Sequence, residues 1–192
     1  EETLYLFRFR CSDRIDIPVR IYSEEAFFSK DHLQQLAFGI YYGMIFIMII
    51  YNFLLYFSFR DRSFLFYVLY LFSYTFFQAT QNGLVFEYLI GTHLYRWSHY
   101  IHLSITLVMI SGIQFSLHYL HLKDNYPLLH RILRIFQGVL LLVIPIDFIG
   151  GYTAALLFSI ISTIVVLSTL LTSGTLLVLK RYTPAYYYMA AW

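Results

Sequence analysis

The chain of 192 residues has one cysteine, four prolines, nine glycines and only 12% charged residues. An average soluble domain carries about 25% charge. One cysteine cannot build a disulfide framework or a cysteine-based zinc site. So few glycines and prolines cannot sustain a collagen-like repeat. A net charge of +2 with no basic run leaves nucleic acid no electrostatic footprint. What is abundant is apolar: 59% of residues are hydrophobic and 21% aromatic, including 19 Tyr and 19 Phe. That composition excludes a disordered chain. A membrane protein remains.

The few charges are placed rather than scattered. Residues 32–59, 63–86, 97–122 and 148–179 contain none. Each gap exceeds the roughly 20 residues that cross about 30 Å of hydrocarbon. A soluble helix would show charge on its outer face. Five spans are predicted, near Leu36–Phe57, Phe64–Gln81, Trp97–His121, Ile132–Phe148 and Thr153–Val178. A sixth apolar run opens at Pro184 and reaches Trp192. Helices are required, because lipid cannot satisfy free backbone groups. The fourth span is the shortest; Arg131 and Arg134 would anchor one rim and Asp147 the other.

Orientation follows from the short loops. Arg60, Arg62, Lys123, Arg131, Arg134, Lys180 and Arg181 fall on one side, and Arg96 alone on the other. The positive-inside rule puts the larger group in the cytoplasm and the N-terminal segment outside. That segment differs in kind. In 14–22 (RIDIPVRIY), Ile15, Ile17, Val19 and Ile21 alternate with other residues, the period of a half-buried strand. Residues 3–10 form a candidate partner strand, with Cys11-Ser12-Asp13 as the turn. Two strands alone are marginal, so residues 1–30 are expected to be the last strands of a larger external β-domain, and 31–192 the membrane domain. The chain opens on Glu-Glu and ends inside an apolar run, as a piece of a longer protein would.

Gly39 and Gly43 put two small residues on one helix face, a device for helix pairing and for a homodimer. Otherwise they mark the entry of the helix. Asn52 and Gln114 are amides deep in apolar sequence, and each needs a partner. A neighbouring helix is the plain reading, and a hydrogen bond that changes partner with signal state the sharper one. Gln78, Gln81, Asn82 and Glu87 cluster near the outer end of the second span. They would line a polar ligand pocket or simply face water and headgroups. Arg60-Asp61-Arg62 is a turn with anchors, or a contact to a cytoplasmic module. His99 and His102, and His118 and His121, are i,i+3 pairs, a spacing that metals use. Neither pair has a carboxylate or Cys nearby, so no metal and no cofactor is expected. The hydroxyls Ser159, Ser162, Thr163, Ser168, Thr169, Thr172 and Ser173 suit helix packing. No nucleophile elbow, phosphate loop, dinucleotide fingerprint or zincin motif is present, so catalysis is not expected within the chain.

The order and spacing of several elements carry a resemblance. They are Gly39, Tyr41, Tyr42 and Gly43, then Tyr51-Asn52, Arg60-Asp61-Arg62, Tyr67 and Tyr70. Further on come Gly83-Leu84-Val85-Phe86, the basic stretch Lys123–Arg134, and Arg181-Tyr182-Thr183-Pro184-Ala185 before Ala191-Trp192. Over about residues 30–192 the chain resembles the bacterial seven-transmembrane receptors with diverse intracellular signalling modules, the 7TMR-DISM family. Phe64 stands where a Tyr is more usual. The resemblance implies an all-α bundle of seven helices, cut here in the sixth. It also implies a preceding carbohydrate-binding-like sandwich, a following histidine kinase or cyclase, and a two-component type of role in the bacterial inner membrane. The lipid bilayer, an external ligand and the cytoplasmic module are then the partners. A transporter, a multipass enzyme subunit and a membrane scaffold remain as alternatives.

Overall fold

The computed structural model describes residues 22–85, 87–88 and 97–191. Every regular element among the described residues is a helix: α1 (Glu24–Phe59), α2 (Arg62–Gln81), α3 (Trp97–Tyr119), α4 (Leu122–Asn125), α5 (Pro127–Leu140), α6 (Val143–Leu179) and α7 (Thr183–Ala191). The predicted strands 3–10 and 14–22 lie outside these residues, apart from Tyr22. The first helix starts at Glu24, well before Leu36, so residues 24–30 are helical and belong to no strand. The apolar run marks where a helix meets lipid, not where its hydrogen bonding begins.

Two units are described separately. In the first, residues 1–40, the described part is the start of α1. Ser23 Oγ accepts from the Ala26 N–H at 3.4 Å, as a helix-capping hydroxyl does. Lys30 Nζ donates to the Tyr22 hydroxyl at 2.7 Å and lies 4.6 Å from that ring's centre.

The second unit, residues 41–192, holds the bundle. α2 packs along α3, α3 along α6 and α5, and α6 on α7. The core gathers Ile113, Leu117, Leu120, Leu122, Leu133, Val166, Leu170, Leu177 and Tyr188 from α3 to α7. Among the described residues four stretches are long and apolar enough to cross a membrane: Glu24–Phe59, Tyr100–Tyr119, Pro127–Asp147 and Ile149–Leu179. The third joins α5 to the start of α6 across a turn. There Leu141 and Leu142 donate to Gly138 O and Val139 O at 3.2 and 3.0 Å. Gly151, at φ 77° and ψ 174°, breaks α6 close to the start of the fourth. The expected spans 132–148 and 153–178 therefore have their division where Gly150-Gly151 sits. α2 is not among the four stretches. Its 20 residues span about 30 Å, but Tyr, Ser, Thr and Gln make it the more polar helix, and it is sheltered against α3.

Three helices that enter the basic loops end on left-handed, non-glycine residues: Arg60 (φ 53°) after α1, His121 (φ 48°) after α3 and Arg181 (φ 58°) after α6. Arg181 N–H reaches Val178 O and Tyr182 N–H reaches Leu177 O, at 2.8 and 3.1 Å. That is the paired bond pattern of a helix end normally given to glycine. A charged residue there keeps its anchor at the rim at a conformational cost of about 1–2 kcal/mol.

Candidate functional site

Where α1, α2, α3 and α7 meet near the Arg60–Arg62 turn, they enclose a cleft of about 410 Å³. Asn52 comes from α1 and Asp61 from the turn. Ser63, Phe64, Tyr67 and Tyr70 come from α2, Phe115 and Tyr119 from α3, and Tyr187 and Tyr188 from α7. The local reasons are visible. Asp61 is extended (φ −83°, ψ 120°), and its Oδ1 accepts from the Ser63 N–H at 2.8 Å, so it caps α2 and turns the chain. Pro184 in the first turn of α7 tolerates its missing N–H there. The i,i+3 and i,i+4 spacings line up Tyr67, Tyr70 and Tyr74 along α2 and Phe115 with Tyr119 on α3.

Phe115 is the hub. Its ring centre lies 5.2 Å from those of Tyr67 and Tyr119, and 6.5 Å from those of Tyr70 and Tyr188. Tyr188 is 2% exposed, and its hydroxyl shares a 2.9 Å hydrogen bond with Ser116 Oγ. A second, apolar cavity of about 280 Å³ lies between α2, α3 and α6, lined by Tyr70, Tyr74, Gly112, Thr163, Val166 and Leu170 among others. Tyr70 borders both.

The two amides found in the sequence differ in the partners they take. Asn52 Nδ2 donates to Met48 O of its own helix at 2.8 Å, not to a neighbour. A short amide can reach back one turn, which satisfies it without a second helix. Gln114 does bridge helices: its Oε1 accepts from Gln137 Nε2 at 3.2 Å. Gln137 also donates to Ile110 O at 3.1 Å, and Arg134 donates to Gln137 Oε1 at 3.4 Å. Gln137 is thus the cross-helix residue that sequence reasoning missed.

The four residues expected at an outer ligand site separate into two pairs. Gln78 Nε2 donates to the hydroxyls of Tyr74 at 3.2 Å and Tyr41 at 3.4 Å. Asn82 Nδ2 donates to the Tyr42 hydroxyl at 3.0 Å. Both amides therefore tie α2 to α1. Gln81 and Glu87 are exposed. Arg60 and Arg62 are exposed too, and outside the cleft that Asp61 lines.

A Cβ built on Gly39 or Gly43 meets nothing within 4 Å, so neither glycine serves a close approach among the described residues. Gly174 does: a Cβ there would collide with Met189 Sδ and lie 3.2 Å from Tyr188 Cδ1. A Cβ on Gly112 would lie 3.5 Å from the Tyr70 ring, an ordinary van der Waals contact. Of the hydroxyls, Ser173 and Ser159 are buried, while Ser168 and Thr172 are exposed and bond back to their own helix.

The second histidine pair does not share a face. α3 ends at Tyr119, and the left-handed His121 turns its ring to the Tyr182 hydroxyl at 3.3 Å. His118 Nδ1 stays on Gln114 O at 3.0 Å. His102 is buried, 5.2 Å from the Tyr152 ring, and the side chain of His99 is outside the description. Among the described residues no three His, Cys, Asp or Glu side chains converge on a metal-sized point. Asp147, expected at a rim, is 5% exposed.

Comparison with curated proteins and with solved structures finds no match. The model of the family described as 7TM diverse intracellular signalling matches residues 34–192, and with that span covered the chain belongs to the 7TMR-DISM membrane signalling family.

Proposed function

We propose that the chain is the transmembrane sensor and transducer core of a bacterial receptor. It would pass an extracytoplasmic event to a cytoplasmic kinase or cyclase, with the Arg60–Arg62 turn inside the cell and the N-terminal segment outside. One observation carries the reading. In α1 only Ile45 is buried, and residues 41–59 meet α2 through Tyr41–Gln78, Tyr42–Asn82 and a stacked Phe59–Phe64 pair 6.1 Å apart. α3, α5, α6 and α7 share a packed core instead. A helix held by a few hydroxyl–amide bonds can shift between two packings against a fixed neighbour. An input that prefers one packing moves the population.

The test is to remove the two hydroxyls in the full-length receptor and read the output of its own module. Each interhelical hydrogen bond in a membrane is worth about 0.6 kcal/mol. Tyr42→Phe should therefore shift basal output about threefold, and Tyr41→Phe with Tyr42→Phe up to about tenfold. Unchanged basal output and unchanged response in the double variant would retire the reading. For orientation, an impermeant maleimide should reach Ser58→Cys, in a Cys11→Ser background, in inverted vesicles and not in intact cells. The reverse pattern defeats the topology.

A further inference from the structure

We propose that the tyrosine cleft is a binding site for an organic ammonium ion. The proposal deepens the receptor reading and rests on it only for its consequence, since binding itself follows from the lining. Rings from α2, α3 and α7 converge on Phe115, with centre separations of 5.2–6.5 Å. Aromatic faces are the negative part of the ring quadrupole, and they attract a cation even at a site open to water, as this one is at Asp61 and Tyr187. The one ionisable side chain of fixed charge in the lining is Asp61. Lys, Arg and His are absent from it, although Arg60 and Arg62 flank Asp61 in sequence. Asp61 Oδ1 is held by the Ser63 N–H at 2.8 Å, and among the described residues the carboxylate makes no ion pair.

Asn52 adds an acceptor. One of its two amide N–H groups is spent on Met48 O at 2.8 Å, and the carbonyl oxygen remains to accept. Besides its rings the lining offers the Asp61 carboxylate, the Asn52 amide and the hydroxyls of Ser63 and five tyrosines, and its single formal charge is negative, which disfavours an anion and favours a cation. The rings and the carboxylate together suit a compact cation with an alkyl surface. The volume, about 410 Å³, is in the ordinary range for a small-molecule pocket. Such a group is carried by free quaternary amines and by the headgroups of some phospholipids. The shared chemistry is the alkylated ammonium.

The experiment uses the full-length protein in nanodiscs and calorimetric titration with tetraethylammonium. In discs of phosphatidylglycerol, which has no cationic headgroup, saturable binding is expected. Its absence overturns the proposal. Discs of phosphatidylcholine identify the source: binding suppressed there assigns the site to a headgroup, and binding retained assigns it to a free amine. The uncharged analogue 3,3-dimethylbutanol should bind at least about tenfold more weakly than choline; equal affinity would mean a merely apolar cleft and overturn the charge argument. Asp61→Asn keeps a competent helix cap while removing the charge, so it should weaken tetraethylammonium about tenfold without unfolding α2. Tyr187 is an exposed ring at the edge of the cleft, so Tyr187→Leu should weaken binding by a smaller factor and leave the fold intact. Wild-type affinity in both variants defeats the proposal. Calorimetry reads the site directly, so its failure leaves the signalling role standing, and a failed output assay leaves the site standing.

Discussion

α1 and α3 are both long, apolar and free of charge through their middles, and neither has an apolar side distinct from a polar one. Yet α1 buries only Ile45, while α3 buries His102, Ser104, Thr106, Val108, Ser111, Ile113, Ser116 and Leu117. In water the buried side of a helix is its greasy side. In lipid both sides are greasy, and hydrophobicity does not choose between them. The difference lies in side-chain size and hydrogen bonding. α3 presents Ser, Thr and Gly, which let α2, α5 and α6 come close. α1 presents Phe, Tyr, Ile and Met, which fill lipid space.

That contrast can be broken from the α3–α6–α7 side. Gly174→Leu drives a side chain into Met189 and Tyr188, and overpacking of this kind costs about 1–3 kcal/mol. Thermal unfolding in detergent should show the largest drop in midpoint of any substitution here; an unchanged midpoint would mean α7 does not pack as described. Tyr188→Phe removes the buried Ser116 partner and should cost about 1 kcal/mol, read from denaturant unfolding. Gln137→Leu cuts the link from α5 to Gln114 and Ile110 and should cost about 0.6 kcal/mol. With Gln114→Leu already present the loss should shrink to the share of the bond to Ile110 O, which a double-mutant cycle measures. At the other extreme, Gly43→Leu fills empty space and should stay within about 0.5 kcal/mol of the parent. A large loss there would place α1 in the core and end the comparison.

The same contrast explains what the sequence discloses. Charge-free gaps give three of the four long apolar stretches, but not the break at Gly151. They do so because charge exclusion from lipid is a property of the run itself. The start of α1 at Glu24 is hidden, since Glu24, Glu25, Lys30 and Asp31 are helical without being buried in hydrocarbon. The cleft is hidden for a different reason: Asp61, Phe115 and Tyr187 are far apart in the chain, and nothing local marks which rings will meet. Gly43 and Gly174 look equally promising as small residues in apolar runs. Only the placement of α7 distinguishes them. Gln137 escaped notice because it lies beside Arg134 in the shortest span, where a polar residue passes for part of the rim.

α2 carries a lesson for biogenesis. A segment too polar to rank with the long apolar stretches is a poor candidate for leaving the translocon alone, where each polar residue is weighed against lipid. Its stable residence in the bilayer waits for α3, the partner along which it packs. Ribosome-arrested chains ending before Trp97 should leave residues 62–81 extractable by alkali, and chains that include Tyr119 should not; equal extraction of both would show that α2 enters unaided. The two helices then enter as a single hairpin, and the polar face of α2 never meets the acyl chains.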